Sequence, residues 1–148
     1  MNRKKIKIGC VSFLGFLSII FLLFYFFLDI MLLFLILNFK RAGGAQFFRE
    51  RCHELKPILI ESQNNRFFIS KLDLPTEDPL HKLYPRFLSI GTYGKGMNYY
   101  HINVSGGFFH AGYLILETKD EIPNKSSLNI PKNWTIKYIG NGVFVYLE

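Results

Sequence analysis

Ile8 to Leu28 is a run of 21 residues without a charge, behind a leader, residues 1–7, that carries Arg3, Lys4, Lys5 and Lys7. At ~1.5 Å of rise per residue a helix of that length reaches about 31 Å, the thickness of a bilayer's hydrocarbon core. In that medium only a helix satisfies its own backbone. The segment therefore reads as membrane-spanning, and the remainder of the chain as one small domain on a tether.

A cleaved signal peptide has a shorter apolar stretch, about 7–15 residues, and a small-residue cleavage site. Here apolar character resumes after Asp29, from Ile30 to Leu37, and Gly43-Gly44-Ala45 lies beyond Lys40 and Arg41. The pattern fits a signal anchor: residues 8–37 form the transmembrane helix and its extension, with 8–28 as the core span. A carboxylate at the bilayer centre costs ~2.5–3.5 kcal/mol. A span of 8–28 places Asp29 at the far interface and is the favoured reading. The alternative is one steeply tilted helix over 8–37 with Asp29 buried and facing a charged partner helix. Four leader cations against Lys40 and Arg41 put the N-terminus in the cytoplasm and the domain outside. The expected location is a single-pass inner or plasma membrane protein with a periplasmic or extracellular domain.

The domain, residues 40–148, carries 14 Lys+Arg and 10 Asp+Glu among its 109 residues. That balance is ordinary for a folded domain. The basic residues are scattered and no stripe of them interleaves with aromatics, so no nucleic acid is expected as a partner. Cys10 lies in the span and Cys52 in the domain, which makes an intrachain disulfide improbable. A composition rich in Ile, Lys, Asn and Phe fits an AT-rich bacterial genome.

Phe48, Cys52, Leu55 and Leu59 recur at helical steps within Ala45–Ser62, and Pro57 should kink or end that helix. Phe67-Phe68-Ile69 is a short strand candidate, the proline-bearing stretch Asp73–Pro85 a loop, and Phe87–Tyr93 a further strand. Gly106-Gly107 can close a two-residue hairpin with Ser105 opposite Phe108, Asn103 opposite His110 and Ile102 opposite Ala111. Tyr100, Ile102, Val104, Phe109, Ala111, Tyr113 and Ile115 then share a core face, with His101, Asn103, Ser105 and His110 on the other. Asn141-Gly142 is the preferred type I′ pair and joins Thr135–Gly140 to Val143–Glu148, with Ile136, Tyr138, Val143, Val145 and Leu147 on one face. The expected fold is α+β: one helix packed on an antiparallel sheet of four to six strands. Its expected core includes Tyr100, Ile102, Phe109, Tyr113, Tyr138, Val143 and Val145.

Candidate chemistry is sparse. His101 and His110 fall diagonally on one strand face, about 7–8 Å apart, a spacing a metal could bridge, but they lack a third ligand; exposed strand histidines are the simpler account. Cys52 and His53 are neighbours on a helix, where adjacent residues diverge by about 100°, so no thiolate–imidazole pair is expected. Gly91, Gly94 and Gly96 flank Lys95 without the spacing of a phosphate loop and read as a turn between strands. Asn103-Val104-Ser105, Asn124-Lys125-Ser126 and Asn133-Trp134-Thr135 match the glycosylation sequon, a frequent chance match in an Asn-rich chain. No catalytic, cofactor-binding or metal-binding residue is assigned, and no cofactor is expected. The expected function is a membrane-anchored binding or assembly module without catalysis, whose partners are the lipid bilayer and a membrane or envelope protein. A small metal-dependent enzyme is the weakest alternative.

The basic leader, the long apolar helix running into an amphipathic one and the antiparallel sheet together resemble bacterial type IV pilin-like proteins. The resemblance implies an assembly subunit processed between a glycine and an apolar or aromatic residue, with a glutamate five positions in. Here Gly9 precedes Cys10 and Leu14 stands at the fifth position, so the likeness covers the architecture and not that motif.

Overall fold

The computed structural model describes residues 3–65, 69–70, 73–93, 97–105, 110–118, 128 and 130–148. The chain divides into two compact units, Met1–Phe34 and Leu35–Glu148.

The first unit is helix. Helix α1 runs Arg3–Ala42. Within it, Gly15–Ala42 is long and apolar enough to cross a membrane, with a mean hydropathy of 2.9. Between residues 13 and 34 most of its large apolar side chains stand exposed, Phe21 at 75% and Leu22 at 70%. In water such a surface is a liability; it calls for lipid or another apolar partner. Asp29 lies inside this stretch and is exposed.

The second unit is α+β. Its strands are β1 (Ile69–Ser70), β2 (Phe87–Tyr93), β3 (Met97–Ser105), β4 (Ala111–Leu116), β5 (Thr135–Gly140) and β6 (Val143–Leu147). They form one open antiparallel sheet in the order β1-β2-β3-β4-β6-β5. Helix α2 (Gly44–Glu54) and helix α3 (Lys56–Asn65) replace the single helix expected over Ala45–Ser62. The break falls at Leu55 because Pro57, second in α3, has no N–H to continue the ladder and its ring would crowd the carbonyl of His53. On both sides of the break the helical spacing marks the inner face: Phe48, Cys52, Leu55 and Leu59 are all buried.

One face of the sheet is covered by these helices. Leu88, Ile90, Tyr100, Ile102, Tyr113, Ile115, Val143 and Val145 project to it and are buried. The last turns of α1 join this core. Phe39 packs its ring 5.3 Å from Phe48 and 4.9 Å from Tyr113, whose hydroxyl donates to the Leu35 carbonyl at 3.0 Å. Each such side chain, fully buried, contributes roughly 1.5–3 kcal/mol. The stretch expected as a loop between β1 and β2 holds a 3-10 helix, Pro79–Leu83, with Leu80 and Leu83 buried. Asp78 caps it by accepting from the Leu80 N–H at 2.9 Å, and Arg51 on α2 donates to the same carboxylate, tying α2 to the cap.

Three sequence expectations need correction. The β3–β4 hairpin is not closed by two residues: Ser105 lies opposite Ala111, Asn103 opposite Gly112 and Ile102 opposite Tyr113, with a bulge between Asn103 and Ser105. The alternation survives because the slip at Ile102 and Asn103 is two residues, a whole strand period, so Ile102 and Tyr113 still share the helix-covered face. Gly106, Gly107 and Phe109 lie outside the described residues, as do Phe67 and Phe68. In the second hairpin, Asn141 (φ 51°) and Gly142 (φ 69°) form the expected turn, but a bulge between Tyr138 and Gly140 slips β5 by one residue. Tyr138 therefore sits opposite Phe144 rather than Val145, on the other face, and is 37% exposed. Finally, the sheet does not have one wet side. Every residue of β4 and β6 is buried.

Candidate functional site

Strands buried on both faces require a second core, and its residues come from the alternate positions. Tyr99, Leu114, Leu116, Phe144 and Tyr146 point away from the helices and pack with Leu128 and Trp134, flanked by Met97, Ile130 and Ile136. The polar residues of the same face, Ser89, His101 and Asn103, are enclosed beside this cluster and meet one another.

Tyr146 is the hub. Its hydroxyl lies 2.7 Å from His101 Nε2 and accepts from Asn103 Nδ2 at 3.0 Å. The phenol oxygen has two lone pairs and one proton, so with Asn103 donating to it the contact with Nε2 is made in either imidazole tautomer. His101 Nδ1 faces Ser89 Oγ at 3.4 Å. Trp134 stacks on the Tyr146 ring at 4.2 Å and 11°, and the Phe87 ring stands perpendicular to the imidazole with centroids 5.6 Å apart. Burial lowers the His101 pKa to about 4, so the ring is neutral at pH 7. Burial likewise raises the Tyr146 phenol above its ordinary range, although the Asn103 hydrogen bond opposes it.

Gly112 makes this arrangement possible. It faces Asn103 across β3 and Tyr146 across β6, and a Cβ there would fall 2.0 Å from the Ile102 carbonyl oxygen and 2.9 Å from the Tyr146 hydroxyl. Gly91 plays the same part for Tyr99, whose ring lies 2.3 Å from where a side chain would begin.

The chemistry of the network is that of a lock. A serine nucleophile needs an imidazole nitrogen able to take its proton. Here Nε2 is taken up by Tyr146 at 2.7 Å, and Nδ1 lies 3.4 Å from Ser89 Oγ, too far for a strong hydrogen bond. The two histidines weighed as metal ligands are separated: His101 sits opposite Leu114, whereas His110, before β4, is exposed with Nδ1 3.7 Å from Glu148. The simpler account is corrected too, since His101 is partly buried and hydrogen-bonded rather than exposed. Among the described residues, no three His, Cys, Asp or Glu side chains are grouped to hold a metal. Asn103 is 2% exposed, so its sequon has no access; Asn133 is exposed and Asn124 lies outside the described residues.

Cys52 and His53 diverge as their spacing demands. Cys52 is fully buried, and burial pushes its thiol well above the ordinary range. His53 turns outward, 3.6 Å from Glu117. That carboxylate belongs to a surface cluster the sequence did not reveal: Lys56 on α3 pairs with it and Asn98 donates to it at 2.8 Å. Burial works against the Glu117 charge, but the two donors outweigh it and hold the group below its ordinary pKa. Beside it Arg49 donates to the carbonyls of Leu116 and Asn141, and an open cavity of about 280 Å³ is lined by Gln46, Arg49, Glu50 and Asn141.

Tyr146 and Ser89 carry no motif, period-two alternation in β6 places Tyr146 on the side away from Val145, and Trp134 precedes β5 with no period to place it. The available signal was Gly112, a glycine inside a strand, which marks a close approach. Compared with protein-family models, curated proteins and solved structures, the chain matches no family, no curated protein and no solved structure.

Proposed function

We propose that the protein is a single-pass, membrane-tethered binding or assembly module with its domain outside the membrane and no catalytic step of its own. The observation that carries this reading is the exposure of most of the large apolar α1 side chains between Phe13 and Phe34, in a stretch whose one charge is Asp29. Such a surface matches lipid, and the four leader cations favour a cytoplasmic N-terminus. The non-catalytic part is supported by the His101 network, where the polar groups that could act on a substrate are bonded to one another within the sheet's second core. The domain's partner is then a membrane or envelope protein met at its surface.

The test is a pair of reporters fused after Glu148, one active only when exported and one only in the cytoplasm, with alkaline extraction of the membranes. Export-dependent activity that resists extraction supports the reading. Activity of the cytoplasmic reporter reverses the topology, and extraction into the soluble fraction removes the anchor.

A pilin-like assembly subunit is the second reading. It is favoured by a helix that runs from Arg3 to Ala42 while its last turns, Leu35 and Phe39, are built into the sheet's core. Intact mass of the mature protein decides it: removal of residues 1–9, freeing Cys10 as the new N-terminus, is the expected result for that subunit.

A further inference from the structure

From Phe13 to Phe34, α1 departs from large apolar side chains at four places: Gly15, Ser18, Tyr25 and Asp29. With Leu22 they are spaced three, four, three and four residues apart. At about 100° per residue the five positions fall within an arc of about 80° on one side of the helix. That alternation is the spacing at which two parallel helices keep a continuous seam against each other. All five residues are exposed, Leu22 at 70% and Tyr25 at 69%. The other positions carry only Phe, Leu, Ile and Met, and apart from the buried Leu32 and half-buried Leu28 and Met31 those described are exposed and suit lipid.

We infer that this seam pairs α1 with α1 of a second copy of the chain, parallel and within the bilayer. The inference rests on the anchoring proposed above, and on the membrane reaching to about Phe34. The exposed apolar residues Ile30, Leu33 and Phe34 lie beyond Asp29, so a bilayer ending at Leu28 would leave them in water. Covering them puts the carboxyl group inside the hydrocarbon, where it needs hydrogen-bonding partners.

The second copy is the occupant that the residues describe. Two chains inserted by the same basic leader run in the same direction and set identical residues at identical depths. At one end of the seam Gly15 and Ser18 let the backbones approach closely, as small residues do at membrane helix contacts. At the other, Tyr25 and Asp29 occupy adjacent layers, so a two-fold axis offers each carboxyl group the partner's phenol as donor. Residues 8–39 hold no Lys, Arg or His, so the pairing is by hydrogen bonds and not by charge.

The experiment uses the full chain with Cys10→Ser in native membranes; the buried Cys52 thiol is left in place. Single cysteines are introduced at Leu22 on the seam, and at Phe21 and Leu23 off it, and oxidised with copper phenanthroline. A disulfide dimer is expected from Leu22→Cys and not from the two controls. Without added cysteine at these positions, lysine crosslinking in bilayers reads the dimer directly. Asp29→Leu should lower its yield about five- to tenfold, while Asp29→Asn, which keeps a hydrogen-bonding group, stays within about twofold. Equal disulfide yield at 21, 22 and 23, an undiminished dimer in Asp29→Leu, or crosslinks only to a different protein would each overturn the pairing. Flotation with lipid separates the two readings: a chain that floats as a monomer defeats this inference alone, and one that does not float defeats the anchor and the pairing together.

Discussion

The two faces of the sheet solve the same burial problem with different materials. Against the helices, Tyr100, Ile102, Tyr113, Ile115, Val143 and Val145 meet Phe39, Phe48, Cys52 and Leu59, and the Tyr113 hydroxyl within that core is answered by the Leu35 carbonyl. On the other side Trp134 and Leu128 cover strands that carry Ser89, His101, Asn103 and Tyr146. The first face depends on shape and tolerates no charge. The second depends on every polar group keeping its partner, so its stability is tied to protonation and to the position of one hydroxyl. A buried polar network gains little over apolar packing when complete and costs a great deal when broken.

Val145→Asp tests the first face most severely. An unpaired carboxylate among Tyr113 and the helices should cost about 4 kcal/mol or more, comparable to the whole stability of a small domain. The sheet signal in circular dichroism of the detergent-solubilised chain should be lost at room temperature, and survival of a cooperative melt would show that the strand is turned the other way.

On the second face the corresponding lever is pH. The His101 pKa is lowered from 6.5 to about 4 in the folded state, so the unfolded chain binds the extra proton between those values. The contribution is present in full above pH 6.5 and is lost as pH falls toward 4, up to about 3 kcal/mol. Urea midpoints at pH 7 and pH 4.5 should diverge in the native protein and converge in His101→Gln. An equal acid loss in both proteins would assign it to other groups.

Gly112→Ala sets a methyl against the Ile102 carbonyl and crowds the Tyr146 hydroxyl, at a cost of about 2 kcal/mol. Tyr146→Phe leaves the ring stacked on Trp134 and removes only the oxygen, which strands His101 Nε2 and Asn103 Nδ2 for about 1.5 kcal/mol. The two changes should be less than additive in thermal melts, because both act on the same hydroxyl. Tyr138→Phe is the smallest: its exposed hydroxyl accepts the Gly142 N–H at 3.2 Å, and its loss should cost about 0.5 kcal/mol. A loss as large as that at Tyr146 would return Tyr138 to the core, where simple alternation had placed it.

Much of this molecule is local, and local features are legible without coordinates. The uncharged run sets a helix because length and apolarity are properties of the segment itself. The step of three and four from Phe48 to Leu59 and the alternation in β3, β4 and β6 name buried positions, because a backbone period fixes which residues share a side. Asn141-Gly142 names its turn, since both residues must take positive φ. What the chain could not announce is decided between segments. The bulges near Ser105 and Gly140 depend on how two strands and their loop settle together, and one slipped residue sends Tyr138 to the opposite face. The lid of Trp134 and Leu128 comes from a stretch with no period of its own. Once it closes, His101 and Asn103, polar by composition, become interior because each finds its partner in Tyr146, 45 and 43 residues away. Polarity is written in a residue; whether its hydrogen bonds go to water or to another side chain is settled by what the fold brings within about 3 Å.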